Sequence, residues 1–153
     1  MKKYFVLMIA LVPFSLPSFA QSDDQESLPS FAQSDSRQSI PLNAEERIVI
    51  LTEMRGLLAG LQEITAALAA NEMAEVARVA KSLGMQMVQI VPLSIRQKLP
   101  RGFKQLGFAV HQDFDLMALD AQNLGESQQT LVQLGDTLAK CVACHAAYQI
   151  TVK

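Results

Sequence analysis

Cys141-Val142-Ala143-Cys144-His145 gathers both cysteines of the chain and one of its two histidines into five residues. Two thiols three positions apart, followed at once by an imidazole, form the C-x-x-C-H signature of covalent haem attachment. In that chemistry the thiols become thioethers to two porphyrin vinyl groups, and the histidine binds the iron. The spacing has a physical reason. On a helix, positions three and four apart share a face, so Cys141, Cys144 and His145 point the same way. Rival chemistries fit less well. A C-x-x-C redox pair wants a βαβ pattern around it, and none is visible. Structural zinc needs four ligands, and the only other histidine is His111. A disulfide from Cys141 to Cys144 closes too tight a loop to stabilise much.

The N-terminus points to export. Lys2 and Lys3 precede an apolar run from Tyr4 to Phe14, then Ser15-Leu16-Pro17-Ser18-Phe19-Ala20. A basic start, a short apolar stretch and small residues at Ser18 and Ala20 predict a secretory signal peptide over residues 1–20, cleaved after Ala20. Attachment of haem outside the cytoplasmic membrane agrees with it, and the expected location is the periplasm. Ser15–Asp23 reads SLPSFAQSD, and Ser27–Asp35 repeats it. Two copies do not make a solenoid. The repeat creates a second possible cleavage site after Ala32, expected to be used little because it lies far from the apolar run and behind Asp23, Asp24 and Glu26. Residues 21 to about 42 are rich in Ser, Gln and Asp, too polar to offset the entropy of ordering, which predicts a flexible tail.

Residues 43–153 have the size of one domain. With Lys2 and Lys3 in the leader, the 13 basic residues of the chain become 11 against 15 acidic ones, a formal −4. Nothing in that balance suggests nucleic acid as a partner, which would want a basic patch. No second apolar stretch is long enough to span a bilayer, so the mature protein is expected to be soluble.

The domain reads as helices. Asn43 is an N-cap with Glu45 and Glu46 in the first turn. Ile50 or Leu51, Met54, Leu57, Leu58, Leu61, Ile64 or Thr65 and Leu68 make a stripe facing a core, and the helix should end near Ala70. Asn71 opens a second helix through Met73, Val76, Ala80, Leu83, Met87 and Ile90, ended by Pro92. A third follows Pro100, through Phe103, Leu106, Val110, Phe114, Met117 and Ala121, with Gly125 as its stop. The fourth carries Leu131, Leu134, Leu138 and the cysteine motif. No segment alternates convincingly as a strand. The fold class is therefore all-α, an antiparallel up-and-down four-helix bundle.

A four-helix pattern with C-x-x-C-H near its C-terminal end resembles the class II c-type cytochromes, the cytochrome c′ group. The resemblance covers roughly residues 44 to 150 and rests on Cys141, Cys144, His145 and Tyr148 besides the helical pattern. In that family a basic residue often follows the tyrosine; here Gln149 stands there. The resemblance implies one haem c, His145 as proximal iron ligand, and a choice on the distal face. An empty distal face gives five-coordinate iron that binds NO or CO. A methionine from the first helix gives six-coordinate, low-spin iron suited to electron transfer. Met54 is the candidate, and a thioether favours reduced iron; the other reading of Met54 is a core filler. Leu58, one turn beyond, should touch the haem, and Arg55 could reach a propionate.

Met85, Met87 and Met117 read as packing residues. His111 is expected to be partly exposed rather than an iron ligand. Phe103, Phe108 and Phe114 read as core. With no distal histidine on the first helix, the expectation is an electron carrier with unidentified redox partners, not an enzyme. Family members often pair through their first two helices, and Gly56, Gly60 and the alanines of 66 to 70 would allow such a homodimer.

Overall fold

The computed structural model describes residues 35–153; the leader, its cleavage site and the first copy of the repeat lie outside them. The described chain is mostly helical, as the periodicity implied. It runs β1 (Gln38–Leu42), α1 (Ala44–Ala69), α2 (Met73–Leu83), a 3-10 turn (Met87–Ile90), α3 (Leu93–Arg96), α4 (Arg101–Asn123), α5 (Ser127–Ala147) and β2 (Tyr148–Val152).

Capping sets the start of α1. The Asn43 side chain accepts from the Glu46 N–H at 2.8 Å, and Glu46 accepts from the Asn43 N–H at 3.1 Å. This reciprocal box satisfies two donors the helix leaves open. Lys98 also bonds Glu46, tying the α3–α4 connection to the same turn. At the other end Asn71 takes a left-handed φ of 57°, a conformation its short polar side chain tolerates, and the chain reverses into α2.

The second helix is shorter than the apolar pattern implied. It stops at Leu83, not at Pro92. The cause is Asp115 of α4. Its carboxylate accepts the Met85 N–H at 3.0 Å and holds Lys81 at 2.8 Å. It lies so close to Gly84 that an added Cβ would come within 2.3 Å of it. The backbone here bonds across to α4 instead of continuing its own ladder. Met85 and Met87 therefore fall in the turn after α2.

Two strands depart from the all-helical expectation. β1 and β2 pair in parallel, with Ile40 opposite Ile150 and Leu42 opposite Val152. Both segments alternate, Ser-Ile-Pro-Leu and Tyr-Gln-Ile-Thr-Val, but each is short and was counted with its neighbours. Residues 38–42, placed by composition in the tail, are thus ordered, with Ile40 and Leu42 fully buried. Pro41 is tolerated because a strand in a two-stranded sheet has a free edge.

α2 packs on both α1 and α4, and α4 packs on α5, whereas α1 and α5 barely touch. Two apolar clusters result. Ile64, Val76, Val79, Phe114, Met117 and Leu134 fill the first. Ile40, Leu42, Ile50, Val91, Ile95 and Leu99 fill the second, beneath the strands. Gly60 lies against Leu83 and Gly56 against Met87, so both glycines serve packing within the chain. Because Ile40 anchors the strand that leads into α1, Ile40→Ala should lower unfolding free energy by about 2–5 kcal/mol, read as a lower urea midpoint.

Candidate functional site

Where α1 and α5 stand apart, a cavity of about 380 Å³ opens between them and the first turns of α4, within the range of about 300–1,000 Å³ that small-molecule sites occupy. Cys141, Cys144 and His145 line it from α5, and Met54 lines it from α1. The two thiols are half-buried and His145 is exposed, so the α5 side of the cavity is open to solvent.

Helical register decides which α1 residues take part. Ile50, Glu53, Met54 and Leu57 all line the cavity, at the i, i+3, i+4, i+7 spacing of one face. Leu58 does not. It sits about 100° further round and is 68% exposed; Leu57 occupies the place expected for it. Arg55 is also exposed and off the lining. Phe114 and Met117 are core, as expected, but Phe103 and Phe108 line the cavity. Phe103 meets Tyr148 edge to face, ring centroids 5.6 Å apart.

The thiol electrostatics narrow the chemistry. Burial pushes the Cys144 thiol up, and the neighbouring Cys141 adds to it. Burial likewise pushes Cys141 up, with a further contribution from Asp113. Thiols of disulfide-exchange enzymes are shifted the other way, by helix N-termini or nearby cations; these sit in the last turns of α5. Among the described residues no group of three or more Cys, His, Asp or Glu side chains could hold a metal ion alone, which leaves a zinc site without ligands. Both cysteines are free and available for a covalent tether.

One pair escaped the sequence reading. His111 is buried, not partly exposed, and lines the cavity together with Glu53, itself only 9% exposed. The Nδ1–H of His111 donates to the Leu83 carbonyl at 2.6 Å, and Nε2 lies 3.5 Å from Glu53 Oε1. Burial works to lower the His111 pKa, but Glu53 and the Leu83 carbonyl outweigh it, so the net shift is upward. The available signal was a carboxylate inside an otherwise apolar stripe.

Cations also line the cavity. Arg37, Arg47, Arg96 and Lys104 stand on its lining, and among the described residues Glu53 is the one carboxylate there. Arg37 is held by Asp35 and reaches the His145 carbonyl at 3.4 Å. The Nε of Arg96 is buried without a hydrogen-bond partner among the described residues. An apolar slot with two thiols and an imidazole on one wall, a thioether on the other and surplus positive charge at its mouth suits a flat apolar group bearing carboxylates. No protein-family model, curated protein or solved structure matches the chain.

Glu53→Gln removes the partner that opposes desolvation of the imidazole. An NMR pH titration of the His111 ring should then show a lower midpoint than in the unaltered chain, whereas an unchanged midpoint would mean that Glu53 does not hold the proton there.

Proposed function

We propose that this chain is an exported c-type cytochrome of the class II kind, an antiparallel four-helix bundle of α1, α2, α4 and α5 that carries single electrons through one covalently attached haem. The observation that carries the reading is the shared cavity: Cys141, Cys144 and His145 from one helix face Met54 from another across one apolar space. The succession of packed pairs, α1 on α2, α2 on α4 and α4 on α5, supports the bundle. The predicted leader over residues 1–20 supplies the route to the periplasm, and no helix among the described residues is long and apolar enough to cross a membrane.

Bound haem supplies a one-electron couple between ferric and ferrous iron. The chain's own residues do the rest. Cys141 and Cys144 would hold the group by adding their S–H bonds across its two vinyl double bonds, which needs no oxidant, and His145 would offer an imidazole nitrogen to the iron. Met54 of α1 would offer a soft thioether, which favours the reduced iron. Ile50, Leu57, Val110 and Phe103 of the lining would exclude water from it, and the packed helices would keep reorganisation small. His111 is engaged at both ring nitrogens and offers no free base for peroxide chemistry, so we read a carrier rather than an enzyme.

The second reading is a five-coordinate, gas-binding haem protein. What favours it is that Met54 packs against the cluster of Ile40, Leu42 and Ile50, as a core filler would.

Produced with its leader in a host that attaches c-type haem, the protein should retain haem through denaturing electrophoresis. Cys141→Ala/Cys144→Ala should lose it. Visible spectra should be low-spin in both oxidation states, with a weak sulfur-to-iron band toward the red. Met54→Ala should turn the iron high-spin and open it to CO. High-spin spectra of the unaltered protein in both states would favour the gas-binding reading.

A further inference from the structure

Arg96 ends α3 on the lining of the cavity, and its buried Nε has no hydrogen-bond partner among the described residues. Burying a charged donor without a partner is costly. Arg96 forms no ion pair among the described residues, and neither do Arg47 of α1 and Lys104 of α4 on the same lining. The lining's carboxylate, Glu53, is turned to His111. The first turn of α4, which carries Lys104, has no side-chain cap and no acidic residue, so its open N–H groups add to the same positive field. Three helices thus contribute positive charge, without an ion pair among the described residues, to one lining. A guanidinium fork matches a planar carboxylate with two parallel hydrogen bonds.

We infer that Arg96 is a positioning residue that clamps a carboxylate of the bound haem at the mouth between α1, α3 and α4, with Arg47 and Lys104 adding to the field. The inference rests on the haem reading above and assigns the orientation of the group: thioether edge toward α5, carboxylate edge toward α3. It also assigns an effect on the iron. A bare carboxylate near the ring favours the ferric state; pairing it with Arg96 offsets that and raises the reduction potential. The role expected of Arg55 thus passes to a residue of the α2–α4 connection.

Two measurements test it together. In the holoprotein, Arg96→Leu should lower both the reduction potential and the urea midpoint, and Arg96→Lys should restore part of the potential because it keeps the charge without the fork. In the haem-free Cys141→Ala/Cys144→Ala chain, the same Arg96→Leu change should leave the urea midpoint unchanged or raise it, because it removes a buried donor that has nothing to bond. An unmoved potential in the holoprotein overturns the clamp while leaving the cytochrome reading intact. So does an equal loss of stability with and without haem, which would make Arg96 a packing residue. If inorganic phosphate stabilises the haem-free chain through Arg96 while the holoprotein's potential ignores that residue, the guanidinium serves a free anion and the clamp is overturned. Failure of the unaltered protein to attach haem overturns the functional reading and the clamp with it.

Discussion

The pairing of β1 with β2 governs the geometry of this domain. β1 passes into the Asn43 cap of α1, and β2 leaves α5 with no intervening loop. Neighbouring strands stand about 4.8 Å apart, so the parallel ladder from Gln38–Tyr148 to Leu42–Val152 ties the segment entering α1 to the segment leaving α5, with α5 ending at one end of the ladder and α1 starting at the other. The buried side chains of Ile40 and Leu42 join the cluster beneath it, so the ladder is held by apolar packing as well as hydrogen bonds. The two helices are joined through this ladder with little packing between them, and residues of both line the cavity.

The sequence made the chemistry of the α5 wall legible because it is local. Cys141, Cys144 and His145 lie within five residues, and helical spacing alone puts them on one side. Met54 was legible as a cavity residue for the same reason, through the stripe of α1. The neighbours of Met54 were harder. Leu57 and Leu58 both continue an apolar stripe, and only packing chooses between them; the choice leaves Leu58 in solvent. The strands were illegible for a different reason. A five-residue alternation is weak on its own, and its partner lies more than a hundred residues away. The end of α2 depended on Asp115, some thirty residues downstream, which no local pattern contains.

That early end has consequences along a chain of contacts. The last carbonyls of a helix lack partners within it, and Leu83 is the last residue of α2. Its carbonyl accepts from His111, which fixes the imidazole and leaves Nε2 facing α1. Glu53 meets it there, next in sequence to Met54. Asp115 therefore acts on the cavity from outside it. By holding Met85 and Lys81 it stops α2, by stopping α2 it exposes the Leu83 carbonyl, and through His111 that carbonyl helps set the face of α1 presented to the cavity.

Net charge and local charge point in opposite directions. The chain is formally acidic, at −2, which alone would suggest docking to a basic surface. The cavity mouth is cationic, with Arg37, Arg47, Arg96 and Lys104 around one carboxylate. Exposed charges farther apart than about 8–10 Å are largely screened at physiological salt, so a group entering the cavity responds to the mouth and not to the total. Among the described residues, Arg37 alone of the four cations is matched by a carboxylate, that of Asp35. Of the other three, Arg96 and Lys104 flank the short α3–α4 connection, whereas Arg47 of α1 is far from them in sequence and only the tertiary fold brings it to the same lining. Self-repulsion among like charges opposes folding, so gathering Arg47, Arg96 and Lys104 on one lining with the Arg96 Nε buried and unbonded among the described residues costs stability, and the carboxylate inferred above would offset that cost.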